Sequence, residues 1–80
     1  MIRIPLNRIM VGELGQQMPP AGMDVLTLMS LAAYFRKTGG PCEPPIEVTV
    51  EGDYFRIDDG RHRYIGALIA GRQDIEAEVV

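Results

Sequence analysis

Tyr54-Phe55-Arg56-Ile57-Asp58-Asp59-Gly60-Arg61-His62-Arg63-Tyr64, with its continuation to Gly71, is the stretch whose reading decides the fold of this 80-residue chain. Phe55 and Ile57 alternate with Tyr54, Arg56 and Asp58, the two-residue period of a half-buried strand. Asp59-Gly60 signals a sharp turn, with Asp59 as candidate N-cap of a following helix. Ile65, Leu68 and Ile69 recur at helical spacing, and Gly71 stands where a helix C-terminus favours positive φ. The pattern predicts strand, turn and a helix over about Gly60–Ala70, with Arg61, His62 and Arg63 in its first turn.

That placement defines the candidate site. The first turn of a helix carries unpaired backbone N–H groups and the positive end of the helix dipole. Arginine adds a planar set of donors, and histidine a donor that can become cationic. Three such side chains at a helix N-terminus repel one another and oppose the dipole. An anion resolves both conflicts, and phosphate is the usual one. The alternative is that Arg61 and Arg63 are solvated and His62 is a satisfied polar residue.

Outward from this stretch, Ile46, Val48 and Val50 alternate with Glu47, Thr49 and Glu51, a strand joined to Tyr54–Asp58 by a hairpin turn at Gly52-Asp53. Pro41 to Pro45 is a connector, and its Cys42 has no histidine or second cysteine nearby in sequence. Before it, Asp24 caps a helix over Asp24–Thr38 whose core stripe is Val25, Leu28, Leu31, Ala32 and Phe35. Arg36 and Lys37 fall in its last turn, where cations are favoured. Ile2, Ile4 and Leu6 mark a short first strand, with Pro5 pointing to an edge or a strand end. Asn7 to Met23 is punctuated by Gly12, Gly15, Pro19, Pro20 and Gly22 and reads as a long loop, with Glu13 as its only acid. Ile75, Ala77 and Val79 alternate with Glu76 and Glu78 in a final strand, where the two acids argue against edge-to-edge pairing. The expected fold class is α+β: a small mixed β-sheet with two helices, in the order β-loop-α-β-β-α-β, forming a single domain over residues 1–80.

Composition narrows the function classes. The sequence is 46% hydrophobic and 24% charged, as in globular domains, and has no apolar run of about 20 residues that would span a bilayer. Arg3, Pro5, Asn7 and Arg8 interrupt the N-terminus, which argues against a signal peptide. One cysteine cannot form an internal disulfide, so a reducing, cytoplasmic setting is expected. A formal net charge of −3 is a poor match to a DNA-coating protein, although it leaves room for a local basic site.

The segment PPIEVTVEGDYFRIDDGRHRYIGALIAGRQDIEAEVV resembles the core of the ParB/sulfiredoxin superfamily, in particular stand-alone ParB-like "nuclease" domains. It has a Pro-Ile strand, a hairpin, a DG-x-H-R motif opening a helix, an Ala-Gly closing it and a terminal strand. IRIPLNRI matches a first strand more weakly, and Asp24–Thr38 matches the preceding helix in position. The resemblance implies a nucleotide-binding module that holds the phosphates of ATP, ADP or CTP, with Mg2+, at this helix N-terminus. Gly60, Arg61, His62 and Arg63 would form that phosphate site. Asp59 occupies the acidic position of the motif, which serves catalysis or metal placement in related small-molecule kinases. Glu13 would take the place of an upstream glutamate base, although its neighbours do not match.

The departures are equally informative. Sulfiredoxins carry a cysteine inside the motif where this chain has Arg61, which argues against sulfinic acid reduction. Partition ParB proteins continue into DNA-binding and dimerisation regions and a second nucleotide motif, for which this sequence shows no counterpart. Three classes of function remain. The first is a nucleotide-binding module whose bound state regulates a partner protein. The second is an enzyme, either a nucleotide-dependent phosphotransferase or a metal-dependent nuclease. The third is a small phage or mobile-element interaction protein that keeps the fold without catalysis. Nucleotide binding ranks first, phosphotransfer second and the nuclease third, because a nuclease wants converging carboxylates, and adjacent Asp58 and Asp59 would point to opposite faces of a regular strand.

Overall fold

All four segments with alternating apolar residues form strands, and a short fifth strand joins them. The computed structural model describes residues 1–10, 24–39 and 41–80. In chain order these carry β1 (Ile2–Pro5), a 3-10 turn (Leu6–Arg8), β2 (Ile9–Met10), α1 (Val25–Thr38), β3 (Ile46–Glu51), β4 (Tyr54–Asp59), α2 (Arg61–Ile69) and β5 (Asp74–Val79). The strands form one sheet in the order β1-β5-β3-β4-β2. β1 pairs with β5, and β3 with β4, antiparallel; β3 pairs with β5, and β2 with β4, parallel. The expected α+β class, a small mixed sheet with two helices, is the observed one.

Register explains the core. Ile4 lies opposite Ile75, Ile46 opposite Ala77, and Val48 opposite both Ile57 and Val79. Apart from Val79, which is exposed, these side chains pack in one core with Leu28 and Phe35 of α1 and Tyr64, Ile65 and Ala67 of α2. Each fully buried Ile or Leu contributes about 1.5–3 kcal/mol of transfer free energy.

Three expectations change. Residues 7–10 are not loop: they complete the 3-10 turn and form β2, whose backbone extends the sheet beside Phe55 and Arg56. The remainder of the expected loop, residues 11–23, lies outside the described residues. β5 is an interior strand between β1 and β3, so its acids guard no edge. Glu76 is instead buried, at 3% exposure. On the helices, Val25 is 52% exposed at the start of α1 and Ile69 is exposed at the end of α2, whereas Tyr64, Gly66 and Ala67 are buried. The reason is that α2 touches β3 and β5 as well as α1, so it buries more of its circumference than one stripe. Gly66 is the contact point: a Cβ there would come within 2.8 Å of Leu31 Cβ.

The two helices run side by side in the same direction. Midway along the layer Gly66 of α2 meets Leu31 of α1, and toward both C-termini Arg36 Nη2 donates to the Ile69 carbonyl at 2.7 Å. Asp24 caps α1 as expected, with Oδ1 accepting from Leu26 N–H at 3.0 Å and Oδ2 from the Thr27 hydroxyl at 2.8 Å. Gly39 and Gly71 follow the helix ends with φ of 59° and 80°. Both positive helix ends thus lie at the same end of the layer, and Arg36 sits at the negative ends.

Candidate functional site

The site grows from the junction of β4 and α2. β3 and β4 pair regularly until Val48 opposite Ile57, after which Glu47 lies opposite Asp59, so Asp58 is an extra residue on β4. Such a bulge interrupts the alternation of side chains and re-aims them. As a result Asp58 and Asp59, expected on opposite faces, both line one cleft with Gly60, Arg61, His62 and Arg63. The cleft has a volume of about 370 Å³.

Asp59 is not the N-cap. That position belongs to Gly60, at φ 105° and ψ 29°, with no side-chain capping bond. A capping Asp needs extended backbone. The chain here turns through a left-handed conformation that side-chain-bearing residues rarely adopt. Gly60 is also hemmed in, since a Cβ on it would lie 2.6 Å from Ile46 Cγ2 and 3.0 Å from Arg63 Nη2. Asp59 ends the strand instead and accepts from Arg63 Nη2 at 3.3 Å.

Arg61, His62 and Arg63 do occupy the first turn of α2. The first helical bond runs from Tyr64 N–H to the Gly60 carbonyl at 2.9 Å, which leaves the N–H groups of Arg61, His62 and Arg63 without intrahelical acceptors. The three side chains differ in setting. Arg61 is exposed and makes no ion pair or side-chain hydrogen bond among the described residues. His62 is half-buried. Arg63 is the anchored one: its side chain is 17% exposed, Nη1 donates to the Pro44 carbonyl at 2.9 Å and Nη2 to Asp59, whose side chain is 68% exposed. A guanidinium has five N–H donors, so three remain available.

The acids are less committed to chemistry than to structure. Asp58 accepts from the Thr49 hydroxyl and from Arg56 Nε at 3.2 Å; those hydrogen bonds, led by Thr49, hold its carboxyl below the usual carboxylate range. Among the described residues no three His, Cys, Asp or Glu side chains are grouped to hold a metal ion. Glu13 lies outside the described residues. Cys42 is buried, and burial pushes its thiol pKa up.

Sequence reasoning missed the network behind Arg63. The connector that supplies the Pro44 carbonyl is tied down two residues earlier, where Cys42 N–H donates to Glu76 Oε1 at 2.8 Å. Glu76 also accepts from Arg72 Nη2 at 3.1 Å and pairs with Arg3 Nη2 at 3.2 Å. Burial opposes its ionisation, but the Cys42 N–H and the Arg72 guanidinium outweigh burial and hold its carboxyl below the usual range. Arg72 stacks over the Phe35 ring at 5.2 Å. The signal in the sequence was an acid alternating with residues on an otherwise apolar strand, which reads equally well as a solvated face.

The cleft therefore offers three free backbone donors, two guanidinium groups and an imidazole around an opening, with glycine where the chain turns. This donor set fits an anion carrying several oxygens.

No protein-family model and no curated protein matches the chain. Solved structures do. Sulfiredoxin from Arabidopsis thaliana superposes with a TM-score of 0.76 at 20% identity, over 99% of this chain and 82% of that one. The C-terminally truncated chromosome-partitioning protein ParB from Caulobacter crescentus, complexed with CTP-gamma-S, gives 0.75 at 20% identity, over 99% of this chain and 43% of that one. The same ParB complexed to the centromeric parS site gives 0.74 at 22% identity, over 100% and 39%. The chain spans less than half of each ParB chain. At these identities the likeness concerns the fold, which is ParB/sulfiredoxin-like. No helix among the described residues is long and apolar enough to cross a membrane.

Proposed function

We propose that residues 1–80 form a single nucleotide-binding module, and that the cleft between β4 and α2 holds the nucleotide phosphates. The observation that carries this reading is the run of three N–H groups without helical acceptors, flanked by Arg61, His62 and an anchored Arg63. A nucleotide in a ParB structure of the same fold supports it. In this reading Gly60 keeps the backbone close to the phosphate, Arg63 supplies oriented donors, and Arg61 and His62 add charge from the rim. The ligand is a nucleoside di- or triphosphate such as ATP, ADP or CTP, and the setting is cytoplasmic. Magnesium, where present, would bring charge neutralisation to the phosphates, with Asp59 as the exposed carboxylate nearest to hand.

A phosphotransferase is the second reading, favoured by the bulge that brings Asp58 and Asp59 to one cleft. Asp59, the less engaged of the two, would be its acid–base or metal-placing group. The bulge also removes the objection that the two aspartates diverge, raised against the nuclease, but Asp58 is engaged by Thr49 and Arg56 and no third His, Cys, Asp or Glu of the described residues joins the pair; DNA contact gains nothing from the charge. An interaction protein on this fold would use the same basic rim against an acidic partner.

The test is a thermal-shift panel with ATP, ADP, CTP and GTP, with and without Mg2+. A ligand that binds the native state raises the melting temperature. Absence of any shift overturns the binding reading in favour of the interaction protein. Asp59→Asn separates binding from turnover. Because Asp59 is an exposed strand-end residue and not a cap, the variant should stay within about 0.5 kcal/mol of wild type and still bind. Loss of nucleotide consumption by this variant alone would establish the phosphotransferase. Binding without turnover in both proteins, across small hydroxyl acceptors, would leave the module.

A further inference from the structure

We propose that Glu76 is a positioning residue for the anion site: its buried carboxylate fixes the connector at Cys42, and the connector's Pro44 carbonyl orients the Arg63 guanidinium in the cleft. This rests on the reading of that cleft as a phosphate site. Glu76 lies on β5, and its hydrogen bonds and ion pairs, to the Cys42 N–H, Arg72 and Arg3, include no cleft-lining residue. Its influence runs through backbone. Oε1 takes the Cys42 N–H at 2.8 Å, the Cys42 thiol lies 3.5 Å from the Pro44 carbonyl, and that carbonyl takes Arg63 Nη1 at 2.9 Å. Asp59 holds the other terminal nitrogen, so the guanidinium is fixed at two points and its remaining donors have a set direction.

The arrangement explains why a carboxylate is buried on an interior strand. Arg72 and Arg3 balance its charge, but they do not need burial to do so. A buried backbone N–H in a connector without helix or sheet partners does need an acceptor. Glutamate reaches it from β5; aspartate, one methylene shorter, does not. Two conservative variants therefore separate reach from charge. Glu76→Gln keeps an acceptor for Cys42 N–H and loses the charge. Glu76→Asp keeps the charge and withdraws the acceptor.

The experiment is calorimetric titration of wild type and both variants with CTP and ATP in Mg2+, with unfolding curves on the same samples. Residues that orient metal ligands typically change affinity about 10- to 100-fold when removed, and the lower end of that range is the measure for a residue that orients Arg63. Glu76→Asp should weaken binding about 10-fold, and Glu76→Gln by no more than about 3-fold, whatever their order of stability. In an Arg63→Lys background, which keeps a cation in the cleft without the two-point guanidinium hold, the Glu76→Asp loss should shrink to less than about 3-fold, whereas in Arg61→Ala it should persist in full, since only coupled residues depart from additivity. Loss that follows stability, or that adds equally in both backgrounds, overturns the positioning role while wild-type binding still stands. Failure of wild type itself to bind either nucleotide overturns the phosphate site, and the role with it.

Discussion

Replacing Gly60 with alanine tests the junction on which the site is built. Two costs add. A side chain at φ 105° is strained by about 1–2 kcal/mol. The new Cβ would also sit 2.6 Å and 2.9 Å from two carbons of Ile46, itself fully buried. Forcing a methyl group into a packed core costs about 1–3 kcal/mol. Reduced freedom of the unfolded chain offsets about 0.4–1 kcal/mol. The net is about 1–5 kcal/mol, centred on about 3, against a total stability of about 4–12 kcal/mol for a domain of this size. At about 4–8 °C per kcal/mol the central value lowers the melting temperature by roughly 12–24 °C. Gly39→Ala is the internal control: its φ is 59°, but nothing lies within 4 Å of the new Cβ. It should therefore cost only about 1 kcal/mol. Urea unfolding of the two variants gives both differences on one scale. Equal losses at Gly60 and Gly39 would refute the close approach of Ile46 to the turn.

Two further outcomes follow from the geometry. Arg63→Ala should abolish the nucleotide-induced thermal shift and Arg61→Ala should only reduce it, because Arg63 is held at two points and Arg61 is exposed; equal binding by folded Arg63→Ala and wild type would remove Arg63 from the site. The Glu76 carboxyl is held below its ordinary value of 4.5 in the folded chain, so its stabilising contribution is present above that value and is lost as pH falls through the lower, folded one. Urea midpoints of wild type should therefore decline more steeply below that pH than those of Glu76→Gln, and parallel curves would count against the ionised buried carboxylate.

Much of the fold could be read because the informative residues are local. The strand, turn and helix around Asp59-Gly60 show in two periodicities that switch at a glycine, and that switch placed Arg61, His62 and Arg63 correctly in the first helical turn. What could not be read depends on pairing between distant residues. The extra residue at Asp58 exists only relative to Glu47 and Val48, so strand alternation wrongly separated the two aspartates. The cap was assigned to Asp59 from residue preference, but the positive φ required by the turn outweighs that preference. The burial of Glu76 was not legible because two of its partners, the Cys42 N–H and Arg3, come from distant parts of the chain; only Arg72 is a sequence neighbour.

The first ten residues contribute both outer strands of the sheet. β1 and β2 are four strand spacings apart in the order β1-β5-β3-β4-β2, which is about 19 Å in a flat sheet. Pro5 and Ile9, the facing ends of those strands, are only four residues apart, a span of at most about 14 Å. The sheet must therefore curl until its margins approach, and the 3-10 turn acts as the clasp of an incompletely closed barrel. Arg8 Nη1 fastens this clasp to the Asp53 carbonyl at 3.3 Å, in the hairpin turn between β3 and β4. A single short segment thus pairs with both flanks, with β5 from Asp74 to Ala77 and with β4 at Phe55 and Arg56. Loss of residues 1–10 would lay bare those backbone groups of β4 and β5 together, turning two paired flanks into two adhesive edges.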